Sequence, residues 1–265
     1  MNWTIRCWAF GPSVGATGPF TNRTDIEWTN GTWNPVTGCD QQSPGCDHCY
    51  ALRLAARLQK MGSARYAKDG NPRTSGPGFG VTLHWDKITE PLHLKKPQRI
   101  FVNSMSDLFH REVTLEFLQA AFATMVQAHW HTFLILTKRA KRLRALAPSL
   151  PWPPHIWMGV SIELSLYFYR IHDLCQGPAA RRFLSVEPLL APLPSLPLHG
   201  IDLVIVGGES GPGARPMDPD WARDIRDQCQ AAGVAFFMKQ MARKAPIPDD
   251  LMIRQYPEVA QLSLL

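Results

Sequence analysis

Ile201-Asp-Leu-Val-Ile-Val206 runs into Gly207-Gly208-Glu209-Ser210-Gly211, and a helix-like stretch at Pro219–Ala232 leads to Val234-Ala-Phe-Phe-Met238. The first run is apolar without strict alternation, as expected of a strand buried on both faces. Asp218 ahead of Pro219 gives the intervening helix a capping carboxylate and a first-turn proline. Strand, short turn, helix and strand predict a parallel pair.

The same unit recurs upstream. Strand-like runs stand at Arg99-Ile-Phe-Val102, Thr132-Phe-Leu-Ile-Leu136, His155-Ile-Trp-Met-Gly-Val160 and Arg182-Phe-Leu-Ser-Val186. Helix-like segments at 114–128 and 164–175 fall between them, and Pro-rich 188–197 reads as a connection. The expected fold is a parallel α/β barrel of the TIM kind, or a partial barrel, of six or more βα units. It should form a single domain over residues 23–265. Residues 1–22, rich in Gly, Pro, Ser and Thr, read as a poorly ordered extension.

Each strand is followed by polar residues. Val102 leads to Asn103-Ser104-Met-Ser106-Asp107, Leu136 to Thr137-Lys138-Arg139, and Val160 to Ser161-Ile-Glu163. Val186 leads to Glu187, Val206 to Gly207, Gly208 and Glu209, and Met238 to Lys239-Gln240. In a parallel barrel these strand ends meet on one rim, where barrel enzymes carry their chemistry. One such residue would be turn or cap chemistry. Six sets in succession point to an enzyme.

A second signal precedes the repeats. Cys39-Asp-Gln-Gln-Ser-Pro-Gly-Cys46-Asp-His-Cys49 spaces three thiols as C-x6-C-x2-C, with Pro44 and Gly45 to bend the loop. Tyr50-Ala-Leu-Arg-Leu-Ala-Ala-Arg-Leu then reads as a helix, which sets Cys49 at a positive helix end that favours a thiolate. Three metal readings follow. Zinc is the general expectation for clustered thiols, but its structural sites come as paired ligand sets, and no second pair stands here. A redox dithiol at Cys46 and Cys49 leaves Cys39 unexplained. An iron–sulfur cluster on three thiolates, with one iron open to an outside molecule, fits the count best.

The bulk properties restrict the rest. The chain has 265 residues, 45% of them apolar, a net charge of +6 and six cysteines. Clustered thiols in a chain of this size suit a reducing, cytoplasmic setting better than a disulfide scaffold. Cys175 and Cys229 read as small buried residues, and Trp28 and Trp33 as core aromatics or a cover over the thiols. No apolar stretch is long enough to span a bilayer, and the N-terminus lacks a secretory pattern. The dense basic run at 138–144 reads equally as a solvated helix face or a phosphate patch. The glycine-rich loop at 62–80 reads as a lid or a disordered segment.

In its cysteine loop, βα repeats and Gly-Gly-Glu strand end, the chain resembles a radical S-adenosylmethionine (SAM) enzyme. It is more closely similar to a phage-associated, radical-SAM-like three-cysteine family without a settled activity. The matching stretches include Thr32-Trp-Asn-Pro35, Gly45-Cys46-Asp-His-Cys49-Tyr-Ala51, Ser104-Met-Ser-Asp-Leu-Phe-His110, Ser185-Val-Glu-Pro-Leu-Leu190 and Phe236-Phe-Met-Lys-Gln240. Two departures stand out. Most radical-SAM enzymes use C-x3-C-x2-C, and their Gly-Gly-Glu segment follows an early strand, whereas Gly207, Gly208 and Glu209 follow a late one.

The resemblance implies a [4Fe-4S] cluster on Cys39, Cys46 and Cys49, with SAM bound at its open iron. Expected SAM contacts are Gly207, Gly208, Glu209, Ser161, Glu163 and Glu187. Glu209, Lys239, Asp107 and Lys138 are the candidate catalytic residues, with Asn103 a further substrate contact. A 5′-deoxyadenosyl radical would abstract hydrogen from an unknown small-molecule or nucleic-acid substrate, with a nucleic-acid base preferred. The electron would come from a donor such as flavodoxin or ferredoxin, and no membrane is expected as a partner. The alternative is a zinc- or cluster-stabilised nucleic-acid-binding phage protein without catalysis.

Overall fold

In a computed structural model that describes Thr24 and residues 26–257, nine strands and five α-helices follow one another along the chain. The expected N-terminal extension and Cys7 lie outside the described residues. Gly31–Trp33 (β1) leads to a two-stranded antiparallel ladder of Val36–Thr37 (β2) with Thr82–Leu83 (β3). The cysteine loop and helix α1 (Tyr50–Lys60) lie between β2 and β3. Then come β4 (Arg99–Val102), α2 (Leu115–Gln127), β5 (Thr132–Thr137), α3 (Ala140–Leu146) and β6 (Ile156–Ser161). They are followed by α4 (Tyr169–Cys175), β7 (Arg181–Val186), β8 (Leu203–Gly207), α5 (Pro219–Ala232) and β9 (Ala235–Gln240).

Seven strands form one sheet in the order β1-β4-β5-β6-β7-β8-β9, with every neighbouring pair parallel. Strand order follows chain order with no reversal, so the sheet curls in one direction as a partial barrel. A doubly wound sheet would instead reverse its order at a switch point. The six strands expected from the sequence are present within one or two residues, and β1 is an addition at the edge. Gly31-Thr-Trp33 is too short a run to read as a strand.

Strand alternation sorts the side chains into two layers. Phe101, Leu134, Trp157, Phe183, Leu203, Ile205 and Phe237 pack with Trp28 on one face, the interior of the curl. Ile100, Val102, Phe133, Ile135, Met158, Leu184, Val204 and Phe236 belong to the larger core shared with α2, α3, α4 and α5. Gly159 lies across from Phe183 in the interior layer, and a Cβ there would come within 2.5 Å of the Phe183 ring. A ring from β7 thus occupies the space that β6 leaves empty.

The helices have the ends that their sequences call for. Thr114 Oγ1 accepts from Phe117 N at 3.2 Å to cap α2, and Asp218 accepts from Asp220 N at 2.9 Å to cap α5. α5 ends on Gly233 in the left-handed conformation, φ 67°. No helix joins β7 to β8; Leu189, Leu193, Leu196 and Leu198 fill that part of the core from the proline-rich connection.

Three expectations are corrected here. The helix expected at 164–175 is confined to Tyr169–Cys175, because a 3-10 turn at Ser165–Tyr167 brings Arg170 back onto Ser161 O at 2.8 Å. Cys175 is half-buried rather than buried, whereas Cys229 is fully buried. The 62–80 loop is ordered, and its Thr74 and Phe79 line the cavity described below. Its Tyr66 and Phe79 are buried against Ala51 and Ala55 of α1, and Asp69 Oδ1 accepts from Gly78 N at 2.8 Å.

Candidate active site

The period of two that sorts the core also decides what faces the carboxyl ends of the strands. Two residues beyond Phe101 comes Asn103; beyond Gly159 come Ser161 and Glu163; beyond Phe183 come Ser185 and Glu187. Ile205 is followed in the same phase by Gly207 and Glu209. At β9 the register slips by one opposite Val206 and Gly207, and Lys239 lies in the slip. These ends surround a cavity of about 230 Å3. Trp28, Phe101 and Leu136 line it together with Asn103, Asp107, Lys138, Ser161, Ser185, Glu187, Gly208, Glu209 and Lys239.

The cysteine loop covers this end of the sheet. Cys39, Cys46 and Cys49 all line the same cavity. Burial pushes the Cys39 thiol up to about 12 against the opposing pull of the Arg139 guanidinium. Burial likewise raises Cys49, while the amides of Leu52 and Ala51 in the first turn of α1 act to lower it. Charge on Cys46 raises both neighbours, so the three sulfurs share one electrostatic environment. They are not drawn tightly together. Among the described residues, one group of three His, Cys, Asp or Glu side chains offers ligand atoms all within 4.8 Å of each other, and it is Asp40, His110 and Glu112.

Ion pairs tie the loop to the strand ends. Glu209 Oε2 accepts from Arg215 N at 2.8 Å and lies 2.9 Å from His48 Nδ1, while Arg215 Nε donates to Oε1 at 3.1 Å. The same arginine donates through Nη2 to Pro44 O at 2.7 Å, inside the cysteine loop. Ser43 Oγ donates to Glu163 Oε1 at 2.7 Å, and Glu163 also pairs with Lys138 and Arg170. Arg139 Nη2 donates to Asp40 O at 3.1 Å, and its Nη1 to Asp107 Oδ2 at 2.8 Å. The loop is thereby fastened at Asp40, Ser43, Pro44 and His48 to the ends of β5, β6 and β8.

Several sequence-based assignments change. Glu163 is fully buried among Lys138, Arg170 and Ser43 and does not line the cavity. Gly207 does not line the cavity either, although Gly208 does. Gly208 lacks a side chain for a packing reason: a Cβ would come within 2.4 Å of the Ala242 backbone. Glu209, Lys239, Asp107 and Lys138 do converge on the cavity, each already paired, with Arg215, Glu187, Arg139 and Glu163 respectively. The basic run divides. Lys138 and Arg139 turn inward, Arg144 pairs with Asp173 at 2.8 Å, and Lys141 and Arg142 line an adjoining groove. Trp33 is plain core, with Nε1 donating to Lys87 O at 2.9 Å, whereas Trp28 belongs to the cavity floor.

Arg215 and Ser43 carry no sequence signal that marks them as site residues, since only the folded loops bring them to Glu209 and Glu163. Among the described residues no helix is long and apolar enough to cross a membrane. No curated protein and no solved structure matches the chain. Residues 23–255 match the family described as protein of unknown function DUF5131, and the chain belongs to that family.

Proposed function

We propose that this protein is an iron–sulfur enzyme of the radical-SAM type, with Cys39, Cys46 and Cys49 as the ligands of a [4Fe-4S] cluster. The observation that carries the reading is the sharing of one cavity by three thiols and the polar carboxyl ends of parallel strands. The sulfurs stand wider apart than one zinc ion would hold them. Tetrahedral zinc with Zn–S bonds of about 2.3 Å draws its sulfurs to about 3.8 Å apart. The three thiols here do not lie within 4.8 Å of one another. A set of three cysteine ligands leaves one iron of such a cluster open to an outside molecule.

Once reduced, such a cluster would supply the electron that cleaves SAM to methionine and a 5′-deoxyadenosyl radical, which takes a hydrogen atom from the substrate. The chain's own residues do the rest. Arg139 donates to Cys39 Sγ at 3.3 Å and offsets charge on the sulfur. Ser161 and Ser185, side by side on β6 and β7, offer hydroxyls to a bound cofactor. The Glu187–Lys239 pair presents both charges to the same space. Trp28, Phe101 and Leu136 keep water from the floor, which limits quenching of a reactive species. A donor of the flavodoxin or ferredoxin kind would deliver the electron.

Protein purified and reconstituted without oxygen should contain iron and acid-labile sulfide in near-equal amounts. The Cys39→Ala, Cys46→Ala and Cys49→Ala triple variant should contain neither. Stoichiometric zinc without sulfide would end the proposal. The basic groove beside the cavity favours one second reading, a metal-stabilised nucleic-acid-binding protein without catalysis. That reading predicts steeply salt-dependent binding and no SAM cleavage.

A further inference from the structure

The outer face of α1 carries unneutralised positive charge directly beyond the cysteine loop. Cys49 caps α1, so the helix starts at the third thiol. Residues 50–68 include Arg53, Arg57, Lys60, Arg65 and Lys68 and contain no Asp or Glu. Helical steps of four and three set Arg53, Arg57 and Lys60 on one face, where all three are exposed. The side chains of Arg57 and Lys60 make no ion pair or hydrogen bond among the described residues. Arg53 donates from Nη1 to Pro212 O at 3.0 Å and from Nη2 to His48 O at 3.2 Å. Both acceptors are neutral carbonyls, so the guanidinium is held in place with its charge intact. His48 adjoins Cys49, which brings the first cation of the row against the chain beside a thiol. The flanking acids are engaged. Asp69 Oδ1 accepts from Gln59 Nε2 at 2.6 Å and from Gly78 N at 2.8 Å, and Asp47 lies 3.5 Å from Arg215 Nη1.

Between the cations stand Leu54 and Met61, 39% and 70% exposed and seven residues apart on one side of the helix. Apolar side chains among like charges fit a protein of opposite sign: the cations steer it in and the apolar groups pack. A nucleic-acid strand would need rings to stack on, and Leu54 and Met61 offer none. The ring of Tyr50, at the head of the helix, is tied through Oη to Ser104 O at 2.6 Å and lines the cavity. An 11-residue helix is about 16 Å long, which suits the small contacts, under about 1,200 Å2 in total, that redox proteins make.

We propose that this face of α1, made of Arg53, Leu54, Arg57, Lys60 and Met61, docks an acidic one-electron carrier protein. The proposal rests on the iron–sulfur reading of the cysteine loop and gives its electron donor a place on the surface. The carrier loses one electron and the cluster gains one, with no atom or proton exchanged. Electron transfer slows steeply with distance, and a carrier seated on α1 lies against the helix that begins at Cys49.

Oxidised flavodoxin and oxidised ferredoxin, both small and acidic, are titrated by calorimetry into the full chain reconstituted without oxygen. The wild type should bind a carrier, more weakly as salt is raised. An Arg57→Glu, Lys60→Glu double variant should bind it about tenfold more weakly or worse. SAM cleavage is then driven in two ways. With the carrier kept reduced by NADPH and its reductase, the double variant should release 5′-deoxyadenosine about tenfold more slowly, following the lost encounter. With dithionite, a small reductant that needs no docking surface, variant and wild type should match. A Lys95→Glu, Lys96→Glu variant controls for net charge, because these exposed lysines precede β4 at the amino ends of the strands. It should behave as the wild type throughout.

Failure of dithionite to cleave SAM with the wild type would remove the cluster reading, while the calorimetric titration still decides the surface. The proposal is overturned if the wild type binds neither carrier, or if the charge reversal leaves binding and carrier-driven cleavage unchanged. It is equally overturned if dithionite-driven cleavage falls as far, or if the control variant is harmed as much. Binding of a single-stranded oligonucleotide in place of either carrier, lost in the same double variant, would overturn it too.

Discussion

Arg139 Nη1 donates to Cys39 Sγ at 3.3 Å, which links the end of β5 to the first cysteine of the loop. The same guanidinium holds Asp107, a buried carboxylate that also accepts from Thr137 Oγ1 at 2.8 Å. A bidentate, permanently charged fork suits this place, because a lysine could not reach sulfur, carboxylate and the Asp40 carbonyl together.

Arg139→Ala should therefore leave Asp107 without its countercharge and destabilise the protein by about 3–5 kcal/mol. Urea unfolding measures the loss. Adding Asp107→Asn should restore part of it, since the two changes touch one pair and do not add. Equal and additive losses would mean that the pair is not a unit.

Glu163 and Ser161 should part company under mutation, although both come at the end of β6. Glu163→Gln leaves Arg170, 1% exposed, with its carboxylate partner gone, and should cost about 3–5 kcal/mol in chemical denaturation. Ser161→Ala removes one hydroxyl from the cavity lining and should cost about 1 kcal/mol or less. SAM affinity should follow the opposite order once both variants are compared in folded form.

The carboxyl of Glu209 gives a pH signature. Burial would raise it, but hydrogen bonds from the Arg215 side chain and amide and from His48 outweigh burial and hold it at about 2, against an ordinary 4.5. A carboxyl depressed on folding takes up its proton more readily in the unfolded chain. Its contribution is therefore complete above about pH 4.5 and is lost as the pH falls toward about 2. Over that range the wild type should lose more stability than Glu209→Gln, as read from urea midpoints; parallel curves would contradict the coupling.

Gly159→Ala tests the interior packing. The added carbon meets the Phe183 ring, which is fully buried and cannot swing away. Destabilisation of about 1–3 kcal/mol is expected from overpacking. Phe183→Leu in the same chain should recover some of it, whereas Phe183→Leu alone should be harmful. A double variant less stable than either single variant would refute the packing account.

The fold is legible because six of the seven sheet strands are apolar runs, most of them separated by helices, each with polar residues at its carboxyl end. What escaped was short or local: β1 has three residues, and β2 and β3 have two each. The site was legible in the same partial way. Strand phase carries Ser161, Glu187, Glu209 and Asn103 to one side, yet phase says nothing of whom a carboxylate will meet. Glu163 is in phase with Ser161 and still turns to Arg170 and Ser43, because a 3-10 turn returns the arginine beneath it. Arg215 becomes a partner of Glu209 through a five-residue loop whose shape has no sequence signature. The sequence marks Trp28 as core or cover, and its place in the cavity lining depends on how the segment before β1 crosses the curl.

The most direct test of the central claim is release of 5′-deoxyadenosine by anaerobically reconstituted protein given dithionite and SAM, followed by chromatography. The account predicts 5′-deoxyadenosine and methionine in equal amounts from the wild type and none from the Cys39→Ala, Cys46→Ala, Cys49→Ala variant. Protein carrying its full complement of iron and sulfide that leaves SAM intact would contradict it.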